Sequence, residues 1–194
     1  MKGFMPHPNV LDDDLADTEL IRRVAALDRK AFEILYERYR PRVYRYLSSQ
    51  IRQPEIIEET VDDVMMVVWE TASRFNGTSA VSTWILGIAH YKALKGRARA
   101  ATVDAGFQET SPAEFNTNSP DAYYERRELT DVIMRALDTL PPEQRAVVEL
   151  TYYHDLSYRE IGEILKCPVN TVKTRMLHAR QRLALLFPAD PSNN

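Results

Sequence analysis

Punctuation in the last third of the chain sets the tightest limit on its fold. Ser157 is followed three residues later by Glu160, a capping-box pattern that satisfies orphan amides at a helix start. A short run with Ile161, Ile164 and Leu165 inward follows and breaks at Lys166-Cys167-Pro168. Proline is tolerated at the first position of a helix but not in its interior. A second, longer helix is therefore expected from Val169 to Phe187. At 100° per residue, Val172, Met176, Ala179 and Leu183 fall within roughly 60° of arc and form a packing stripe.

A short capped helix, a tight break and a longer basic helix make a helix-turn-helix pattern. With the stripe turned inward, the last helix presents Thr171, Thr174, Leu177, His178 and Gln181. Lys173 and Arg180 lie on one flank, Arg175 and Arg182 on the other. Such a helix suits a major groove: side chains near its start reach base edges, and the flanking cations meet phosphates. Outward Leu177 has no core to join, and a thymine methyl would suit it. The amides at the helix start offer a further phosphate site. An ordinary bundle with a basic, solvated last helix fits the same residues.

The remainder reads as helix too. In a chain of 194 residues the pattern predicts an all-α protein: two small helical domains joined by a flexible linker, the C-terminal one a helix-turn-helix. The first block is expected over 17–100, the linker over 101–120 and the second block over 121–187. Residues 1–16 and 188–194 are expected to be disordered tails. In the first block Phe32, Leu35, Tyr39, Val43, Tyr46 and Leu47 recur at helical spacing, and Pro41 among them marks either a kink or a new start. A second helix, 55–73, turns Val61, Val64, Met65, Val68 and Ala72 to one side, and Glu55, Glu58, Glu59, Asp62 and Asp63 to the other. Phe75-Asn76-Gly77-Thr78-Ser79 is a loop, after which Ser82 or Thr83 is placed to cap a third helix with Trp84, Ile85, Ile88 and Ala89. The linker carries Gly106, Pro112 and Pro120 with little periodicity. In the second block Leu129, Val132, Ile133, Ala136, Leu137 and Leu140 form a helix, and Pro141-Pro142 ends it and opens the next.

Charge is strongly segregated beneath a net charge of −3. Six acids and no base lie between Glu55 and Glu70; four bases (Lys92, Lys95, Arg97, Arg99) and no acid lie between Lys92 and Arg99. Five bases and no acid lie between Lys166 and Arg182. Local DNA contact, with a basic partner elsewhere, fits this better than a nucleic-acid coat. Cys167 is the one cysteine, which excludes an intrachain disulfide and a paired-cysteine zinc site, and the default compartment is the cytoplasm. His7, His90, His154 and His178 form no metal spacing, and no phosphate-cradling glycine motif occurs. No metal, cofactor or enzymatic role is expected. No apolar run is long enough to span a membrane, and no secretion signal is visible.

Two motif sets carry a family likeness. Leu140-Pro141-Pro142-Glu143-Gln144-Arg145, Leu156 through Ile161, Asn170 through Arg175 and His178-Ala179-Arg180 closely resemble region 4 of the extracytoplasmic-function (ECF) sigma factors of the bacterial sigma-70 family. Asp62-Asp63-Val64 with Trp69, Phe75-Asn76-Gly77, Thr83-Trp84 and Ile88-Ala89 resemble their region 2. The resemblance implies a protein that binds core RNA polymerase and directs it to promoters. Region 2 would grip the beta-prime clamp helices and open the −10 element, and region 4 would read the −35 element and lean on the beta flap. The linker would thread the RNA exit path. The resemblance implies no catalytic residues, and commonly an anti-sigma partner.

Carried over by residue, Glu58, Glu59, Asp62 and Asp63 become the polymerase contact. Recognition of the −10 element falls to Phe75, Asn76 and Trp84, with Lys92, Lys95, Arg97 and Arg99 on phosphates; Phe75 and Trp84 also read as core. The −35 readers become Lys173, Thr174, Arg175, Leu177 and His178, with Thr171, Arg180 and Arg182 beside them and Tyr158 and Arg159 approaching from the preceding helix. Cys167 reads as a small packing residue. Tyr91 and Lys95 stand where the family commonly has Asn and Asp, and Thr60 and Asp62 where it has Leu and Gln, which bears on promoter detail. The alternatives are a stand-alone helix-turn-helix regulator that acts without replacing the sigma subunit, and a protein-interaction module whose basic helix docks on a partner.

Overall fold

The computed structural model describes residues 10–104, 132–133 and 135–186. The expected C-terminal tail, most of the expected linker, the N-terminal end of the second block and residues 1–9 lie outside the described residues. Every regular element among the described residues is helical: α1 (Val10–Ala25), α2 (Arg29–Ser48), α3 (Pro54–Thr71), a 3-10 turn (Ala72–Arg74), α4 (Val81–Asp104), α5 (Pro142–Tyr152), α6 (Tyr158–Leu165) and α7 (Val169–Leu186). Residues 135–138 are also helical.

Local chemistry explains most boundaries. The Asp28 carboxylate caps α2, accepting from the Ala31 amide at 3.2 Å. Pro54 and Pro142 sit at the starts of α3 and α5, where a missing amide hydrogen costs nothing. Pro41 lies inside a continuous α2. Its ring and Glu37, whose carbonyl it cannot bond, are both exposed, so the lost hydrogen bond lies on the outer side of the helix. α1 starts at Val10, ahead of the expected start of the block. α4 starts one residue before Ser82, with the Trp84 amide bonded to the Ala80 carbonyl at 3.0 Å. Neither Ser82 nor Thr83 is therefore the cap. α4 also continues past Ala100 to Asp104, through an alanine-rich stretch with high helix propensity.

The inward stripes close the core as their periodicity requires. Val61, Val64, Met65, Val68 and Ala72 are all buried, as are Val172, Met176 and Ala179. Asp17 is buried in the middle of α1, held by the Arg38 guanidinium and the Tyr39 hydroxyl of α2. α3 lies between α2 and α4, and α7 packs on α5 and α6.

The two helical units are also joined. α4 packs on α6, and one buried cluster runs through both units. The seam also carries polar contacts. Thr83 of α4 donates its hydroxyl to Glu160 at 3.3 Å. Arg145 donates to the Ser49 carbonyl at 3.1 Å and pairs with Asp138 at 2.9 Å. Arg45 lies 3.6 Å from the buried Glu149 carboxylate. The His154 ring meets Tyr46 edge-on, with centroids 6.0 Å apart.

Candidate nucleic-acid interface

The α6–α7 motif is built as its punctuation demands. The Ser157 hydroxyl accepts from the Glu160 amide at 3.4 Å, and Glu160 accepts from the Ser157 amide at 2.8 Å. Lys166 takes a left-handed conformation (φ 52°), which turns the chain and lets the Cys167 amide bond the Gly162 carbonyl at 3.0 Å. This turn needs a residue the sequence reading passed over. A Cβ on Gly162 would stand 2.9 Å from the Cys167 carbonyl oxygen, a backbone atom that cannot swing aside. Gly162→Ala is expected to destabilise the chain by about 1–3 kcal/mol, as overpacking does. Chemical denaturation checks this, and an unchanged midpoint would show that the turn yields freely.

Beyond the turn, α7 presents Lys173, Thr174, Leu177, His178 and Gln181 to solvent, with Thr171 half-buried. Leu177 is 54% exposed, so an apolar side chain stands in the middle of a polar face. The Thr174 hydroxyl donates to the Asn170 carbonyl at 3.0 Å, leaving its methyl and its acceptor capacity for a ligand. Arg180 donates to the Tyr152 hydroxyl at 3.0 Å. Arg182 is exposed beside His178, Gln181, Gln144 and Leu185 around a shallow concavity. Arg159 is exposed, 3.9 Å from Glu163, whereas Tyr158 is half-buried against the core. Arg175 differs from its neighbours. Its guanidinium reaches Glu143 at 2.5 Å and lies 3.6 Å from the Cys167 sulfur. It ties α7 to the start of α5 and to the turn.

The second surface lies on α3 and α4. Phe75 and Trp84 are half-buried and face each other with centroids 5.3 Å apart, so both contribute to the core and line the loop. The Asn76 side-chain oxygen accepts from the Thr78 amide at 3.1 Å and its hydroxyl at 2.7 Å. With Gly77 at φ 70°, this shapes the loop internally.

Three of the four α4 bases have partners within the chain. Lys92 reaches Asp63 at 2.9 Å and Arg99 reaches Glu59 at 2.6 Å. The Lys95 ammonium stands 4.9 Å above the Tyr91 ring. Arg97 is half-buried. Burial first, then the charges of Arg175 and Arg97, holds the His90 imidazole below its ordinary pKa.

The acids are likewise occupied. Glu58 pairs with Arg40 at 2.8 Å, and Asp62 accepts from the Tyr36 hydroxyl at 2.8 Å. Burial first, then Asp62, pushes the Tyr36 phenol above its ordinary value. Tyr36 and Arg40 sit one turn apart on α2, a spacing visible in the sequence. Which helix they would face is not visible, because that depends on the packing order of α2, α3 and α4. Among the described residues no cluster of side chains could hold a metal ion, and no helix is long and apolar enough to cross a membrane.

An acidic helix flanked by bases and a capped helix-turn-helix with an exposed polar face define a two-unit, all-helical protein of the helix-turn-helix class. The Sigma-70 region 2 family matches residues 35–102, and the Sigma-70 region 4 family matches residues 130–183. The chain is 32% identical over 189 residues to the ECF RNA polymerase sigma factor SigK of Mycobacterium ulcerans (strain Agy99), covering 92% of this chain and 96% of that one. It is 28% identical over 182 residues to the ECF RNA polymerase sigma-E factor of Escherichia coli (strain K12), covering 89% and 95%. The fold is similar to CnrH, solved in complex with the cytosolic domain of CnrY (TM-score 0.68, 22% identity, 90% of this chain and 99% of that one). It is also similar to the sigma factor RpoE of Bartonella quintana, solved with the anti-sigma factor NepR (TM-score 0.64, 25% identity, 83% and 99%). The chain belongs to the ECF RNA polymerase sigma factors of the sigma-70 family.

Proposed function

We propose that this chain binds core RNA polymerase and directs promoter-specific initiation by recognising −10 and −35 elements. The observation that carries the reading is the match to both sigma-70 regions, in order, within one chain. A stand-alone helix-turn-helix regulator would leave the region 2 match and the acidic face of α3 without a role.

In this reading residues 17–100 and 121–187 are the two working units, joined by 101–120. Lys173, Thr174, Leu177 and His178 read the −35 element, because they form the exposed face of α7. Thr171, Arg180, Arg182 and Arg159 set its register on phosphates, and Tyr158 supports them from α6. Arg175 acts through its ties to Glu143 and Cys167. Phe75, Asn76 and Trp84 receive a −10 base, and Lys92, Lys95, Arg97 and Arg99 hold the adjoining phosphates. Glu58, Glu59, Asp62 and Asp63 meet the beta-prime clamp helices, and the second unit leans on the beta flap. The chain performs no catalysis, since polymerase makes the bonds, and it acts in the cytoplasm with that enzyme. RpoE of B. quintana was solved with an anti-sigma factor, and a partner of that class is proposed here.

Run-off transcription on fragmented host DNA tests this directly. Core polymerase with the chain is expected to give discrete RNA starts that share two spaced upstream elements, and core alone is not. Absence of discrete starts would remove the proposal. Lys173→Glu, at an exposed position, is expected to weaken binding to the upstream element with folding intact. The salt dependence should become shallower by about one unit of slope.

A further inference from the structure

The faces assigned to polymerase and to DNA are bound to each other. Glu59 and Asp63 lie one turn apart on α3 and engage Arg99 and Lys92 of α4 at 2.6 and 2.9 Å. Glu58 and Asp62, in the same acidic row, turn the other way, to Arg40 and Tyr36 of α2. The row is thus split, with two carboxylates serving α4 and two serving α2. The Lys92 side chain is only 21% exposed, laid along the junction of the two helices. Ile56, Thr60, Lys95 and Gly96 complete this groove.

A carboxylate and a phosphate offer such a cation the same thing, anionic oxygens that accept charge-assisted hydrogen bonds. Donors satisfied by Glu59 and Asp63 are withdrawn from a DNA backbone. Carboxylates satisfied by Arg99 and Lys92 are equally withdrawn from a basic protein surface.

We propose that Glu59 and Asp63 are internal phosphate mimics, which mask Arg99 and Lys92 in the free chain and release them when a basic polymerase surface takes the carboxylates. The inference rests on the function proposed above. Because coupling between two sites is reciprocal, phosphate bound to α4 favours polymerase binding on α3 by the same factor. Neither event requires a helix to move: the switch is an exchange of ion-pair partners at the surface.

The test uses the full chain, a short fluorescent single-stranded DNA of random sequence, and anisotropy titrations without polymerase. Glu59→Gln with Asp63→Asn is compared with Glu58→Gln with Asp62→Asn, which changes net charge equally but unmasks no α4 base. Exposed ion pairs are individually weak, so the first variant is expected to bind about three- to tenfold more tightly than wild type. Its salt slope should steepen by roughly 0.7 for each cation freed. The second variant should gain less than about twofold. Equal gains in both variants would overturn the proposal, as would a gain that persists when Lys92→Met and Arg99→Met are added. If the double variant fails to fold by circular dichroism, Asp63→Asn against Asp62→Asn gives the same comparison at smaller amplitude. In the reverse direction, Lys92→Met should tighten binding to core polymerase in the absence of DNA more than Lys95→Met does; equal effects would count against it. The DNA arm contains no polymerase, so it reads the masking whatever the run-off assay returns.

Discussion

Asp62→Lys combined with Asp63→Lys is expected to lower affinity for core RNA polymerase at least about 100-fold, the equivalent of about 2.7 kcal/mol. Both positions are exposed on α3, so the lysines need not enter the core. At a basic docking surface each reversal replaces an attraction with a like-charge contact, and such contacts cost several kcal/mol. Within the chain the loss is small: the Tyr36–Asp62 hydrogen bond and the Lys92–Asp63 pair, with exposed pairs of this kind worth up to about 1 kcal/mol. Glu70→Lys provides a control, since Glu70 is exposed on the same helix but outside the paired row. Competition against a labelled sigma factor for core polymerase would measure both. Near-normal binding by the double variant, with the secondary structure intact, would remove α3 from the polymerase interface.

Glu149→Gln is expected to stabilise the chain at alkaline pH and leave it unchanged in acid. Burial is the main cause that raises the Glu149 carboxyl to about 7, and Arg45 and Arg145 only partly oppose it. A raised carboxyl favours the folded state most fully below its unfolded value near 4.5, and that contribution is lost as pH rises through about 7. Glutamine keeps the shape without the ionisation. The variant should therefore exceed wild type by on the order of 1–3 kcal/mol above pH 7, with the gap closing towards pH 4.5. In a chain of this size that is a rise of roughly 3–9 °C in the midpoint of thermal unfolding.

His154 makes the expectation more specific. Burial, then the charges of Arg42 and Arg45, holds its imidazole down at about 4. Its contribution to stability is present above the ordinary value near 6.5 and is lost as pH falls through about 4. In wild type the two slopes oppose each other, and stability should vary little between about pH 4.5 and 7. The glutamine variant retains only the histidine slope, so its stability should fall steadily as pH drops across that window. A variant less stable than wild type at pH 8 would mean that Arg45 and Arg145 hold Glu149 ionised.

Much of the fold was legible because it rests on local chemistry. Ser157 and Glu160 announced α6, and the stripe Val172, Met176, Ala179 fixed which side of α7 faces inward. Pro141-Pro142 fixed the start of α5. The same stripe turned Thr171, Thr174, Leu177, His178 and Gln181 outward, and all of them but the half-buried Thr171 are exposed. What periodicity cannot give is the identity of a helix's neighbours. Arg175 sits on the wheel as another flanking cation, and only the approach of Glu143 from α5 makes it a tie between elements. The pairing of Glu59 and Asp63 with α4 depends on α3 lying between α2 and α4. Local rules also favoured Ser82 or Thr83 as a cap, and the chain instead spends Thr83 on Glu160 of the other unit. The polar part of the seam between units gave no signal, because Ser49, Arg145, Glu149 and His154 are not residues a hydrophobic pattern selects.

That last property has a practical consequence. Beside the shared buried cluster, the seam holds carboxylates, guanidiniums, an imidazole and a backbone carbonyl, groups that water can satisfy as it cannot satisfy leucine or phenylalanine. No protein group among the described residues bonds either nitrogen of His154, so water arriving there repays part of the cost of parting. Contact between the units therefore depends in part on charge and hydration, and salt should loosen its ion pairs more than it would a contact made of leucine alone.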